Sequence, residues 1–422
     1  MTLPGHAGQL NKGPKQRPPA SRWRALAWIT IAELLAMSVW FSASAVVSAL
    51  TRQWQLTGSA VIWLTSTVQL GFVGGALLSA TLGFADRFRP RMLMGWGAMG
   101  AALTTAALLA LPHGGWMAFV LRTLTGAFLS IVYPVAVQWV ASWFPTQRGL
   151  AVGILIGGLT VGSALPHLLV GVPLLQHWQA VLAGSAVLAV ISWAIVLWIV
   201  PEHPGPFSPP VFRWNRVGAV LHDGPVMWAN LGYWGHMWEL YAMWAWLPAF
   251  LLSSWHVYWR GPTLITLAGS ASFAVIGLAG FAGALAGGWA ADRYGRTWAT
   301  IMAMSVSGSM ALIIGFTYHA RPLLTLVIAL IWGFSVIADS AQFSASVTEL
   351  APKDLQGSAL TLQMAVGFLI TIGSINLIGF LAAVISWHYV LMFLAIGPAV
   401  GIWAMARLRR LPDALKLAHG RR

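Results

Sequence analysis

Long apolar runs follow one another along almost the whole chain, separated by short polar segments. A helix needs about 20 apolar residues to cross the hydrocarbon core of a bilayer. Reading each run to its polar flanks predicts twelve such helices, at about 24–50, 59–84, 91–112, 115–143, 149–172, 178–201, 225–253, 264–290, 297–318, 322–348, 357–384 and 388–408. After the sixth run the pattern breaks. Pro201, Pro204, Pro206, Pro209 and Pro210 mark a polar stretch at 202–222 that reads as a linker. Residues 1–22 are rich in Pro, Gly and basic side chains and lack an apolar core. They read as a disordered tail and not as a cleavable signal peptide.

The two sets of six runs share a pattern. Glu33 opens Glu-Leu-Leu-Ala-Met-Ser-Val-Trp, and Glu239 opens Glu-Leu-Tyr-Ala-Met-Trp-Ala-Trp. The same offset carries Ala85-Asp86-Arg87 onto Ala291-Asp292-Arg293, and Trp28 onto Trp234. Coincidence at Leu or Ala means little in so apolar a chain, but only 10 of the 422 residues are acidic. The chain therefore reads as a duplicated all-α membrane protein, with twelve transmembrane helices in two pseudo-symmetric six-helix bundles. The expected organisation is a cytoplasmic tail at 1–22, an N-terminal bundle at 23–201, a cytoplasmic linker at 202–222, a C-terminal bundle at 223–409 and a basic tail at 410–422. Repeated halves are one architecture of secondary transporters. Each half also carries a carboxylate at the same depth of an apolar helix, where an ionisable group marks a pathway or proton site by default.

Composition agrees with a lipid environment. Hydrophobic residues make up 58 % of the chain and charged residues 8 %, against about 25 % charged in soluble domains. The 25 Trp suit the two membrane interfaces. With no Cys, neither a disulfide framework nor a thiolate metal site can form. The net charge of +14 does not indicate nucleic acid, because the basic residues lie in the gaps between apolar runs. With the N-terminus inside, the outer loops hold Arg52, Arg260 and Arg321, and nearly all the other Lys and Arg fall on the inner side. This bias places both termini in the cytoplasm. The expected location is the cell's inner or plasma membrane, and the expected working unit is a monomer.

One connection carries a motif. Gly288-Trp289-Ala290-Ala291-Asp292-Arg293-Tyr294-Gly295-Arg296 joins runs 8 and 9. Asp292 at a helix end can meet the positive N-terminus of a neighbouring helix or a nearby Arg. Gly288 lets two helices approach closely and Gly295 permits a tight turn. Basic loops obeying the positive-inside rule would explain the Arg residues but not the glycine and aspartate spacing. Asp86, Arg87, Gly288, Asp292, Arg293, Gly295 and Arg296 are therefore candidates for a cytoplasmic gate. The pattern resembles the signature loop of the major facilitator superfamily, found there between spans 2 and 3 and in weaker form between spans 8 and 9. Here the fuller copy lies in the second half, since Leu82, Arg89 and Pro90 replace two glycines and a basic residue in the first. The resemblance implies two six-helix bundles, a solute cavity between them and rocker-switch alternating access. It is looser towards the nitrate/nitrite and cyanate branch. Nitrate carriers hold their anion with Arg in spans 2 and 8, and here those runs lack Arg and Lys until their inner ends.

Four ionisable side chains fall well inside the runs: Glu33, Arg122, Glu239 and Asp339. Glu33, Met37, Trp40 and Ser44 share one helical face, as do His236, Glu239, Met243 and Trp246. A carboxylate, a thioether and an indole on one face suit a wet cavity for an organic solute, although for Met or Trp taken alone helix packing is the preferred reading. His236 could share a proton with Glu239, or hydrogen-bond to a neighbouring helix. Arg122 stays charged when buried and needs an anion, and Glu33 is the preferred partner. Arg122 with Gly126 also resembles a family pattern associated with proton coupling, with Thr125 where Gln is frequent. Asp339 and Gln342 share a face of run 10, which lines the cavity if the family architecture holds. The glycines at 153, 157, 158 and 162 read as helix-packing positions.

There is no Gly-x-x-x-x-Gly-Lys-Ser/Thr loop, which argues against direct ATP coupling. With no metal cluster or hydrolytic triad, no cofactor is expected. The leading expectation is a proton-driven secondary transporter of a small solute, not an enzyme. Its proton and substrate residues would be Glu33, Arg122, His236, Glu239, Asp339, Gln342, Trp40 and Trp246. The alternatives are a sensor that kept the fold, a membrane enzyme using Glu33 or Glu239 as general acid, and outward multidrug-type efflux.

Overall fold

A computed structural model describes residues 19–111, 113–144, 147–202 and 211–421, apart from the side chains of residues 19, 20, 86 and 148. The expected tail at 1–22 and the proline cluster of the linker fall largely outside these residues. Twelve long helical segments follow in order: α1 (Pro19–Met37), α2 (Gly58–Thr81), α3 (Pro90–Ala110), α4 (Gly115–Trp143), α5 (Gly149–Gly171), α6 (Trp178–Trp198), α7 (Gly224–Trp255), α8 (Gly261–Tyr294), α9 (Arg296–Thr317), α10 (Pro322–Leu350), α11 (Gln356–Val384) and α12 (Trp387–Arg410). Among the described residues there is no strand.

Ten of these are long and apolar enough to cross a membrane on length and composition. The two that fall short are α1 and α12's partner α7, the helices that carry Glu33 and Glu239. Their Trp, Ser, His and charged residues lower their apolarity. Both can still cross because neighbouring helices, and not lipid, surround much of them: Glu33 is 0 % exposed and Glu239 is 1 % exposed. Large apolar side chains such as Leu78, Leu103, Trp116 and Leu323 instead point outward, as a lipid-facing surface requires.

Packing repeats between the halves. Helix α1 lies on α6 as α7 lies on α12, and α2 lies on α4 as α8 lies on α10. The halves meet along two seams, α5 with α8 and α2 with α11. Small residues make the first seam close. A Cβ at Gly153 would fall 3.1 Å from the carbonyl oxygen of Ala284, and one at Gly288 would fall 3.2 Å from that of Gly149. Gly157 also faces α8, at the Phe281 ring, whereas Gly158 and Gly162 face α1, and a Cβ at Gly162 would lie 2.1 Å from the Leu34 carbonyl oxygen. The glycine run thus serves two neighbours. A π-helical stretch at Phe273–Ala279 of α8 also faces this seam, where the Thr160 hydroxyl donates to the Gly277 carbonyl at 3.2 Å.

Run 1, expected to be continuous over 24–50, is broken. Helix α1 stops at Met37, residues 38–41 form tight i to i−3 turns, and short helices resume at Ser42–Ala45 and Val47–Trp54. Helix α10 pauses at Asp339, whereas α7 is unbroken and is capped by Asp223, whose carboxylate accepts from the Val226 N–H at 3.1 Å.

Candidate functional site

The break in the first span explains Arg122. Its guanidinium donates to the carbonyl of Val39 at 3.0 Å, to the carbonyl of Trp40 and to the Ser42 hydroxyl at 3.5 Å. A helix that unwinds at membrane depth must find partners for its freed main-chain groups inside the protein, and Arg122 supplies them. The expected ion pair with Glu33 does not form. Both Glu33 oxygens are buried and have no hydrogen-bond partner among the described residues. Glu33 instead lies within electrostatic reach of the Tyr133 and Tyr241 side chains. In a straight helix over run 1 no carbonyl would be open to Arg122; the break after Met37 opens them.

In the second half the carboxylates are partnered, and by other helices than expected. The Ser307 hydroxyl of α9 donates to Glu239 Oε2 at 2.8 Å, and the Trp332 indole of α10 donates to Oε1 at 2.7 Å. Among the described residues no hydrogen bond joins His236 to Glu239. Its Nδ1 approaches Asp339 Oδ1 at 2.9 Å, off the line of a well-aligned hydrogen bond, while its Nε2 has no partner among the described residues. Both side chains are almost fully buried. Asp339, which reaches His236, is the residue at which α10 pauses. The duplicated glutamates therefore sit in unlike settings, one without partners and one held by two neutral donors.

Trp40 lies beside Phe72, Tyr241 and Phe368, with ring centroids 5.1, 5.5 and 5.7 Å away. These rings come from both halves and close the centre of the molecule. Trp246 is half-buried and donates to the Ile375 carbonyl of α11 at 2.9 Å, a packing role on that side of its ring.

The loop motif lies at the end of the bundle that holds the linker and the termini, called here the basic end. The Asp292 carboxylate sits over Gly149, the first residue of α5: a Cβ there would fall 2.8 Å from either oxygen. An anion at a helix N-terminus is stabilised by the unpaired N–H groups and the helix dipole. Gly295 has φ +98°, a region open to glycine. Arg293 is exposed and lies over the Trp289 and Tyr294 rings at 5.7 and 5.6 Å. Arg296 turns inward. It donates to Glu349 from Nε at 2.8 Å and from a terminal nitrogen at 2.5 Å, and to Gln342 Oε1 at 2.8 Å. Gln342 thus belongs to this network and not to a central cavity with Asp339. In the first half, Arg87 is exposed on the helical turn Phe84–Arg87, and the Asp86 side chain lies outside the described residues.

The family model of the Major Facilitator Superfamily matches residues 29–375. The chain belongs to this superfamily. It is therefore a multi-pass membrane protein of a transport family. A solved D-xylose-proton symporter has the same fold, with a TM-score of 0.72 and 14 % identity over 94 % of this chain and 99 % of the symporter. A probable chloroplast anion transporter of Arabidopsis thaliana is 24 % identical over 56 % of this chain and 49 % of its own length. A gallate transporter of Pseudomonas putida is 28 % identical over 36 % of this chain and 34 % of its own length. The chain thus spans about half or less of the length of these last two relatives.

Several superfamily-fold contacts were not read from the sequence. Glu349 could have been, being one of only 10 acidic residues and placed at the end of a span. Ser307 and Trp332 gave no signal, since their types are common in apolar helices. Among the described residues no group of three or more His, Asp or Glu is placed to hold a metal ion.

Proposed function

We propose that this chain moves a small solute across the membrane by alternating access between its two bundles, and that protons drive it. The observation that carries this reading is the set of three buried carboxyl groups, Glu33, Glu239 and Asp339, none of which meets a Lys or Arg side chain among the described residues. An ionised carboxylate without a cation in such surroundings costs several kcal/mol, about the penalty of a buried uncompensated charge. Each group can exchange its proton only when water or a cation reaches it. A rocking motion of the halves would supply that access to one side at a time. Glu239 and the His236–Asp339 pair share the α7–α10 interface and form the proton station. Glu33, buried in this state, would meet solute when the halves rock apart.

Arg122 turns both terminal nitrogens to the broken span, while its Nε has no partner among the described residues, so the centre offers carboxyl groups to a solute more than a guanidinium. This favours a neutral or cationic solute. The positive-inside rule puts the basic end in the cytoplasm of a cell bounded by this membrane.

The test is Glu239→Gln in proteoliposomes. Gln keeps the shape and an acceptor for Ser307 or Trp332 but carries no exchangeable acidic proton. Accumulation driven by a pH gradient should vanish while solute counterflow persists. Unchanged gradient-driven accumulation would remove Glu239 from proton coupling.

A further inference from the structure

The two seams are closed at the basic end by different means. On the α5–α8 seam the motif aspartate rests on Gly149. On the α2–α11 seam, Gly357, in the first turn of α11 as Gly149 is in the first turn of α5, lines a cavity of about 100 Å³. Its other walls include Ala80 of α2 and Gly83 just after it, Ser130 and Gln138 of α4, and Phe212 of the linker. Gly83 and Ala85 come from the α2–α3 connection, and Phe212 is the wall residue that comes from the linker.

The residues around Phe212 are fastened unequally to the two halves. The Arg213 N–H donates to Ser358 Oγ at 2.9 Å, and that hydroxyl donates back to the Arg213 carbonyl at 3.0 Å. Arg216 meets Asp354 at 3.3 Å, an exposed pair of small worth. The helix Trp214–His222 then runs directly into α7. All of these tie the linker to the second half. Towards the first half, one hydrogen bond is seen among the described residues, from the Trp214 indole to the Thr81 hydroxyl at 3.1 Å. The Phe212 and Trp214 rings meet edge-on at 4.9 Å, so the stopper and the fastener form one unit.

We propose that residues 211–216 form a second gate at the basic end: Phe212 plugs the α2–α11 seam, and the plug travels with the second half when the seam opens. The reciprocal Arg213–Ser358 bonds persist through the motion, and the single Trp214–Thr81 bond breaks. The proposal rests on the alternating-access reading. It assigns the closure of this seam to the linker, where the first-half copy of the loop motif lacks both of its glycines.

The experiment uses pairs of spin labels on engineered cysteines, which need no background replacement because the chain has no Cys. The open state is produced by Gly149→Trp, since even a Cβ at Gly149 falls 2.8 Å from the Asp292 carboxylate. One pair, Gln147→Cys with Tyr294→Cys, reports opening of the α5–α8 seam. A second, Leu82→Cys with Arg213→Cys, reports the linker against the first half. A third, Lys353→Cys with Arg213→Cys, reports it against the second. In the Gly149→Trp background the first two distances should lengthen and the third should stay fixed. A lengthened first pair with an unchanged second, or with a changed third, overturns the linker gate and leaves alternating access standing. A first pair that does not lengthen removes both. Trp214→Phe, which keeps the ring and loses the hydrogen bond, should shift the unwedged protein towards the open distances by roughly 2- to 10-fold in population, the worth of one hydrogen bond. No shift would count against Trp214 as the fastener.

Discussion

Arg122→Leu, taken through a cycle with Glu33→Gln, separates the two roles open to a buried guanidinium. The variant strands the Trp40 carbonyl, while the Val39 carbonyl keeps the Ser42 hydroxyl at 2.9 Å. An unsatisfied buried acceptor costs about 1–3 kcal/mol, and hydrogen bonds from a charged donor are worth about 1.5–3 kcal/mol each. Relief from burying the charge offsets part of this, which leaves a net loss of about 2–4 kcal/mol. Glu33→Gln loses no hydrogen bond, so it should change stability by less than about 1 kcal/mol. The two side chains share no partner, and the double variant should equal the sum of the singles to within about 0.5 kcal/mol. A buried ion pair would behave otherwise: removing one partner costs about 3–5 kcal/mol, and removing the second gives much of it back. Chemical unfolding of the four proteins in micelles, followed by Trp fluorescence, measures the cycle. A coupling above about 2 kcal/mol would refute the break-stabilising role and restore the ion pair.

Asp292→Asn keeps the size of the side chain but removes the charge over the start of α5, an interaction worth about 0.3–2 kcal/mol. Transport should slow while solute affinity changes less than about 2-fold, because binding does not use this contact; an equal loss of affinity in a direct binding assay would contradict that. Gly287→Ala would place a Cβ 1.7 Å from the Ala338 carbonyl oxygen, immediately before Asp339. It should lower thermal stability by about 1–3 kcal/mol or more through overpacking, and a variant as stable as the parent would show that α8 and α10 are not in this contact.

The sequence was most informative where lipid constrained it. Apolar runs of sufficient length specify helices, because the main chain must satisfy its own hydrogen bonds in hydrocarbon. Repetition of rare acidic residues exposed the duplication. Gly288, Asp292 and Gly295 were legible because a close approach, a helix-terminus contact and a positive φ each demand a particular residue type. Arg296 was read as part of the motif, but its inward partner Glu349 was not, since a loop position does not state which way a side chain turns.

The amino-acid sequence by itself determined that this chain is a duplicated helical membrane protein with carboxyl groups at matching depths. The tertiary structure alone decided what those groups meet. Partners across helices depend on the rotation of each helix and on where it breaks, and neither follows from apolarity, which looks much the same all round a buried span. The break at residues 38–41 turned Arg122 away from Glu33 and onto main-chain oxygens. Asp339, where α10 pauses, meets His236, and Glu239 meets Ser307 and Trp332.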